Sequence, residues 1–352
     1  MTFAIIANVS NSWFNGMEGS RVELFLLPLC LLTLCTLVLD PLLVGCIYCS
    51  PALRQETRYL LLANTLAADV AFVCINVGMV TCAVLRVPVL WVVCEVAITA
   101  TVTAYCCAIL SVTVMVVDTY VAVRWPLHYD GLLPPSRARI ISAALWLLAS
   151  MYPLSIVIIL EMLEEEAPQR LPLCLVLITV GALGKDMAVG IHMYFTISAI
   201  LCFLLIIYCY VRLYAVTRRS GIWRQRYSRA RVTLLAHGVL LCLYFLPGLV
   251  FTVELALFES RQMGAQASVW VNMTNMSILM LLPRAAAPYL YGLRYREIYA
   301  TLAHLVLRKR RQLSQVCAVS GSAEVVMAGQ CQMTDGQCQM TANQCQMVSV
   351  RL

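Results

Sequence analysis

The chain has 352 residues, of which 61% are hydrophobic and only 12% are charged, and its mean hydropathy is +0.83. Soluble domains average roughly 25% charged residues, so a soluble fold of this length cannot hide so much apolar surface from water. The composition therefore excludes an ordinary soluble domain and predicts a membrane protein.

Seven apolar runs, each about as long as a bilayer is thick, follow one another along the chain. They cover residues 22–49, 59–84, 91–123, 140–160, 187–211, 232–257 and 268–293. An eighth stretch, 171–184, is too short to cross a membrane and ends at Lys185 and Asp186. It is predicted to be a buried part of an extracellular loop. We therefore predict an all-α membrane protein, a seven-transmembrane helix bundle over residues 22–293.

Lysine and arginine residues are distributed unevenly between the segments that separate these runs. If residues 1–21 are extracellular, nineteen of the 25 basic residues lie on the cytoplasmic side and five outside, while Arg284 lies within the last run. Because positive residues are retained on the cytoplasmic side, the pattern predicts a multi-pass protein with an extracellular N-terminus. The net charge of +7 then predicts contact with acidic membrane lipids and no nucleic-acid partner.

The two ends of the chain carry simpler signals. Asn8 begins an Asn-Val-Ser sequon in the extracellular segment and is a predicted glycosylation site, whereas the sequons at Asn272 and Asn275 lie at or inside a span. No basic stretch followed by a short apolar run opens the chain, so no cleaved signal peptide is predicted. The tail, 308–352, repeats Gln-Cys-Gln-Met from Gln330 and is predicted to be disordered. Its cysteines are either lipidated or free thiols.

Three motifs in the spans occur in a familiar order. Asp118-Thr119-Tyr120 ends the third span and resembles the Asp-Arg-Tyr motif of rhodopsin-like G-protein-coupled receptors, with threonine in place of arginine. Residues 64–69 of the second span, Asn-Thr-Leu-Ala-Ala-Asp, resemble the Asn-Leu-Ala-x-x-Asp run of that family. Residues 287–291, Ala-Pro-Tyr-Leu-Tyr, are similar to its Asn-Pro-x-x-Tyr motif. The resemblance covers about residues 20–310 and implies a short amphipathic helix on the inner leaflet at 294–307.

The resemblance implies roles for particular positions. Cys94 and Cys174 match the disulfide of the family, and Asn64, Ser111 and Trp146 match a structural hydrogen-bond network. The positions of the activation switch are Asp118, Thr119, Tyr120, Tyr208, Phe245, Pro247, Pro288 and Tyr291. The expected ligand pocket contains Thr101, Tyr105, Thr252 and Ser277, with Glu95 and Glu254 near its mouth. The acidic run Glu164–Glu166 in the second outer loop either attracts a basic peptide or is a solvated loop.

Among the ionisable residues that lie within the spans, Asp69 is in the second span and Arg284 in the seventh. Charges at membrane depth are costly unless they face the interior and find a partner. We predict that Asp69 and Arg284 form a buried charge pair, the alternative being an unpaired Arg284 in a wet cavity. Asp40, which precedes Pro41 in the first span, either joins the pair or stays protonated.

These observations predict an orphan receptor of the plasma membrane that transmits an unknown extracellular ligand to a heterotrimeric G protein. The threonine at 119 cannot act as the arginine of the family does, so the activation switch is altered. Three alternatives remain open: a receptor-shaped decoy, scaffold or dimer partner, an odorant-type chemosensory receptor, or a transporter or channel. Catalytic motifs, metal-ligand spacings and cofactor-binding motifs are not found in the sequence, so no enzyme activity and no cofactor are predicted.

Overall fold

The computed structural model describes residues 23–85, 87–125, 135–163, 170–171, 174, 185–219 and 226–259, and then residues 267, 270–271 and 274–292. The sequon at Asn8, the acidic run at 164–166, the amphipathic helix predicted at 294–307 and the tail lie outside these residues. Most of the described residues are helical, as the apolar runs predict. An all-α membrane protein is therefore confirmed at the level of secondary structure and composition.

The helices follow the predicted spans closely. They are α1 (Glu23–Cys49), α2 (Pro51–Arg54), α3 (Thr57–Val84), α4 (Trp91–Arg124), α5 (Pro135–Leu163), α6 (Lys185–Arg219), α7 (Arg226–Glu259) and α8 (Leu282–Gly292). A π-helix, Asn275–Leu279, precedes α8. Two short strands, β1 (Val89–Leu90) and β2 (Arg170–Leu171), complete the described elements.

Within the described part of the chain, five helical segments are long and apolar enough to cross a membrane. They are Leu27–Cys49, Thr57–Cys82, Trp91–Ala122, Arg137–Ile159 and Leu235–Glu254. The fifth and seventh predicted spans contribute the shorter apolar segments Thr196–Arg212 and Ser277–Leu290.

Apolar residues on α1 face outwards and polar ones face inwards. Leu27, Leu31, Leu34, Val38 and Leu42 recur at three- or four-residue spacing and are all exposed. On the opposite face Thr36 and Asp40 are fully buried. In water this arrangement would be unfavourable, whereas lipid solvates the apolar stripe and the bundle interior takes up the polar groups.

The core of the bundle is built around α4. This helix packs against α3, α5, α6 and α7, while α1 packs against α3, α8 and the π-helix. Buried leucines, alanines and aromatic residues of α3, α4 and α7 form its centre. The arrangement places the inner faces of α1, α3, α4, α7 and α8 around one interior.

The start of α4 is held by a covalent cross-link. Cys94, in the first turn of α4, forms a disulfide with Cys174 across 80 residues of sequence, and both are buried. Beside it β1 pairs with β2 in antiparallel register, Val89 opposite Leu171 and Leu90 opposite Arg170. The structure thus contains the disulfide that the resemblance implies, and it joins the loop after α5 to the end of the bundle where α4 begins.

Candidate functional site

The two ionisable residues of the second and seventh spans meet in the interior. Asp69 lies on α3 and Arg284 on α8, and neither side chain is exposed. Nε of Arg284 is 3.4 Å from Oδ1 of Asp69, while Nη1 of Arg284 donates a hydrogen bond to the carbonyl of Met280. A charge buried at this depth is tolerated only when an opposite charge and hydrogen bonds compensate for lost hydration. The backbone acceptor and the carboxylate together provide that compensation for Arg284.

Three aromatic rings surround the guanidinium of Arg284. Its central carbon lies 3.4 Å from the ring centroid of Phe72, 5.4 Å from that of Tyr105 and 5.6 Å from that of Tyr244. The faces of aromatic rings carry partial negative charge, so they attract a cation that has lost its water. We call Asp69, Arg284 and these three aromatic residues the central cluster.

Tyr244 connects the central cluster to the backbone of α7. Its hydroxyl donates to Oδ2 of Asp69 over 2.6 Å, and its own carbonyl accepts a hydrogen bond from the hydroxyl of Tyr105. One turn further on, Pro247 interrupts α7, and the carbonyl of Pro247 accepts from Nδ2 of Asn275 over 3.0 Å. A proline inside a helix removes an internal hydrogen bond and bends the chain. Side chains of α4 and the π-helix therefore bind the backbone on both sides of this weak point.

A separate polar network joins α3, α4 and α5. Nδ2 of Asn64 donates to Oγ of Ser111 over 2.8 Å, and Nε1 of Trp146 donates to Oδ1 of Asn64 over 3.0 Å. Ser111 in turn donates to the carbonyl of Cys107. The structure brings together the three residues that the resemblance groups, and their mutual bonds satisfy polar atoms that lipid cannot solvate.

The end of α4 that carries Asp118 shows a different arrangement. Asp118 is buried, whereas the hydroxyl of Thr119 donates to the carbonyl of Met115 within the same helix, over 2.9 Å. Tyr120 packs edge to face with Tyr208 of α6, their ring centroids 6.4 Å apart. Arg212 of α6 is exposed and lies beside Tyr120 and Tyr208. We call Tyr120, Tyr208 and Arg212 the inner cluster.

Comparison with known proteins decides what this bundle is. A family model described as 7 transmembrane receptor (rhodopsin family) matches residues 41–291. The chain belongs to the rhodopsin family of seven-transmembrane receptors. It is also similar to probable G-protein coupled receptor 148 of Homo sapiens, with 34% identity over 308 residues that cover 84% of this chain and 86% of the relative. The protein is accordingly a multi-pass membrane receptor rather than an enzyme.

The predicted pocket residues of this receptor lie at different depths. Tyr105 belongs to the central cluster, and Thr101, one turn before it on α4, is buried with its hydroxyl bonded to the carbonyl of Ala97. Thr252 of α7 is half-buried and donates to the carbonyl of Gly248, and Ser277 of the π-helix is also half-buried. Glu95, in the second turn of α4, and Glu254, near the end of α7, are both buried.

The remaining switch positions of the receptor are aromatic or proline. Phe245 is buried and packs on Phe203 of α6, with ring centroids 5.2 Å apart. Pro247 and Pro288 are buried within α7 and α8, respectively. The side chain of Tyr291 lies outside the described residues.

Sequence reasoning did not single out three of these residues. Tyr244 looks like an ordinary apolar-span tyrosine, and its double role depends on the approach of α3 and α4. Arg212 is the first of a basic group that hydropathy assigns to the membrane border. Asn275 stands out in the sequence only as part of a sequon, although it is fully buried and bonded to Pro247. A polar residue within a span or at its border is the signal that these positions share, and it does not identify the partner.

Proposed function

We propose that this receptor responds to an extracellular ligand by changing the geometry of α7, and that a heterotrimeric G protein at the cytoplasmic face reads the change. The proposal is carried by one observation: Tyr105 donates a hydrogen bond to the carbonyl of Tyr244, one turn before Pro247, and Tyr244 in turn donates its hydroxyl to Asp69. A ligand can shift an equilibrium only if it binds two states differently. Tyr105 is a point at which binding would alter the contacts of α7 directly.

The disulfide supports an extracellular N-terminus. Disulfides form in oxidising compartments, so the end of the bundle with Cys94 and Cys174 belongs outside the cell in a plasma-membrane protein. Helix α4 begins at this end and therefore runs inwards. Because consecutive spans alternate in direction, α3 runs outwards and α1 runs inwards, which places the N-terminus outside the cell. The basic residues of the segments at the opposite end agree with this direction.

The ligand is proposed to enter between α4, α7 and the π-helix. Thr101, Tyr105, Thr252 and Ser277 would provide hydroxyl groups at successive depths, with Glu95 and Glu254 nearer the extracellular side. Amine receptors of the family carry an aspartate in span three where this chain has Thr101 and Tyr105, so we propose a ligand other than a biogenic amine.

The altered switch is the second part of the proposal. Thr119 bonds to its own helix and has no charge to offer a partner, whereas Arg212 extends a cation beside Tyr120 and Tyr208. Arginine and tyrosine are favoured at protein interfaces because they combine contact area with strong hydrogen bonds. We infer that Arg212 replaces the missing arginine of α4 in the contact with the G protein.

The experiment compares basal G-protein activation by the wild type with that by Thr119→Arg, at matched surface expression and across the main G-protein classes. If the receptor switches and Thr119 dampens it, the arginine raises basal signalling. A variant with Thr119→Ser keeps the helix-bonded hydroxyl and is the matched control, so it should signal like the wild type.

A second candidate function is a receptor-shaped protein that binds without activating G proteins, as a decoy, scaffold or dimer partner. The bond from Thr119 to Met115 favours it, because the motif position is then uncharged and already satisfied. No signalling from wild type, Thr119→Arg or Thr119→Ser in any G-protein class would favour this candidate over the first.

A further inference from the structure

A third ionisable residue lies beside the central cluster. Asp40 of α1 is fully buried, and it interacts electrostatically with both Asp69 and Arg284. Within the described part of the chain, neither of its carboxyl oxygens has a hydrogen-bond partner. Two acids and one base therefore share a single interior from which water is largely excluded.

The elements that pack against α1 contribute no second buried cation in their described residues, since Arg58 of α3 is exposed and pairs with Glu56. From α3 the facing charged group is Asp69, and from α8 it is Arg284. The π-helix, with the sequence Asn-Met-Ser-Ile-Leu, has no titratable residue. Tyr289 of α8, which lies beside Cys35 of α1, has no cationic form. Arg54 of α2 is exposed at the end of its helix.

The balance of charges in this interior then determines whether Asp40 is ionised or protonated. Asp69 already binds Arg284 and accepts the hydroxyl of Tyr244, so the single positive charge is used by Asp69. An ionised Asp40 would add an uncompensated negative charge in an apolar interior and would repel Asp69. A buried group in that position gives up its charge instead, because the neutral acid loses far less hydration energy.

We propose that Asp40 is a proton-binding site of this receptor, and that the proton it holds makes the group of Asp40, Asp69 and Arg284 electrically neutral. The proton also determines which acid the arginine binds. While Asp40 is neutral, Arg284 stays with Asp69; once Asp40 is ionised, it competes for the same guanidinium. Nη2 of Arg284 has no hydrogen-bond partner among the described residues, so a donor is available for that exchange.

The direct test is infrared spectroscopy on the full-length receptor in lipid nanodiscs at neutral pH. A protonated carboxylic acid has a carbonyl stretch well separated from carboxylate bands. The spectrum of the wild type minus that of Asp40→Asn should contain one such acid band, and Asp40→Glu should shift the band without removing it. Glu56→Gln, which removes an exposed acid, is the matched control and should give a carboxylate difference only.

Further variants check the charge count. In Asp69→Asn, Arg284 is left with Asp40 as its only facing acid, so Asp40 should ionise. The spectrum of Asp69→Asn minus that of the Asp69→Asn, Asp40→Asn double variant should then contain no acid band. In Arg284→Gln both Asp40 and Asp69 should be protonated. The integrated acid absorption that is lost on replacing both aspartates by asparagine in this background should therefore be twice that lost in the wild type. A carboxylate band in place of the acid band in the wild-type minus Asp40→Asn spectrum would overturn the proposal, as would an unchanged band in Asp69→Asn.

Thermal unfolding as a function of pH provides a measurement that does not depend on spectral assignment. Unfolding exposes Asp40 to water, where an aspartate ionises above about pH 4, so unfolding of the wild type releases a proton that Asp40→Asn does not release. Relative to Asp40→Asn, the folding equilibrium constant of the wild type should fall about tenfold per pH unit above that value. Parallel pH profiles for the two proteins would show that Asp40 holds no proton in the folded state.

Discussion

Tyr244 of α7 donates a hydrogen bond of 2.6 Å to Asp69 of α3, and through it the helix that contains Pro247 is bound to the buried ion pair. Both residues are completely buried, so water cannot replace the bond when it is broken. Asp69 also binds Arg284, which means that a movement of α7 changes the surroundings of the charge on α8. This relationship couples a helix that a proline interrupts to a buried charge whose loss of a partner is costly.

Replacing Tyr244 by phenylalanine tests that coupling. The variant keeps the ring beside Arg284 but leaves Oδ2 of Asp69 without its donor. Loss of a hydrogen bond to a buried charged acceptor costs about 1–3 kcal/mol. We expect the melting temperature of the purified receptor to fall by several degrees, measured by a thiol-independent fluorescence assay.

The same chemical change at Tyr210 is the control for Tyr244→Phe. Tyr210 is exposed on α6, so loss of its hydroxyl should leave the melting temperature unchanged. Equal stability of Tyr244→Phe and Tyr210→Phe would mean that the bond to Asp69 contributes nothing to the fold.

The ion pair itself predicts a rescue by charge exchange. Removing one partner of a buried pair costs about 3–5 kcal/mol because the other charge stays buried. Asp69→Arg and Arg284→Asp should therefore each reduce the fraction of receptor at the cell surface severely. The double variant restores opposite charges, and we expect it to recover a substantial part of the surface fraction, measured by flow cytometry of an extracellular tag.

The exposed ion pair of Arg58 and Glu56 is the control for the charge exchange between Asp69 and Arg284. Their charged atoms are 2.6 Å apart, but the side chains are 48% and 40% exposed, and pairs in water contribute little. Either single charge reversal there should change surface expression only slightly. If the double variant of Asp69 and Arg284 expresses no better than its worse single variant, the two residues do not act as a pair.

The disulfide predicts equal effects from three variants. Cys94→Ser, Cys174→Ser and the double variant all remove the same bond, which closes a loop of 80 residues. Native disulfides contribute about 2–5 kcal/mol, chiefly by restricting the unfolded chain. We expect all three variants to lose the same thermal stability, and a larger loss in the double variant would indicate a role for the thiols beyond the bond.

Hydropathy was sufficient to predict the helices, because lipid requires every spanning segment to satisfy its own backbone. The ends of the helices were less predictable: α7 begins at Arg226, six residues before its apolar run, since a helix can continue into water through basic residues. The π-helix at Asn275–Leu279 has no sequence signal of its own and depends on contacts with α1 and α7.

The sequence was sufficient to predict the part of the site that consists of charged residues. The pairing of Asp69 with Arg284 is predictable because an unpaired charge within a membrane span is highly unfavourable. The role of Tyr244 could not be foreseen, since a tyrosine can satisfy its hydroxyl in lipid headgroups, in water or on a neighbouring helix. Only the approach of α3 and α4 determines that Tyr244 binds Asp69 through its hydroxyl and Tyr105 through its carbonyl.

Arg212 provides the last prediction, which concerns the cytoplasmic face. Arg212→Gln removes the cation of the inner cluster while keeping a polar side chain beside Tyr120 and Tyr208. Because Arg212 is exposed, the fold and the surface expression should be unaffected. If Arg212 contacts the G protein, the variant should lose most of the basal signalling of the wild type, and Arg212→Lys should retain part of it. The measurement is the rate of nucleotide exchange on purified G protein with receptor in nanodiscs.

Arg124 distinguishes a specific contact from a general effect of positive charge. It is also exposed at the end of α4, where its guanidinium lies 5.7 Å from the ring of Trp125. Arg124→Gln removes the same charge from the same face of the membrane, but it leaves the inner cluster intact. A specific contact requires a much larger loss of exchange activity in Arg212→Gln than in Arg124→Gln. Equal losses would mean that the G protein senses only the summed charge of this face, and the assignment to Arg212 would then be wrong.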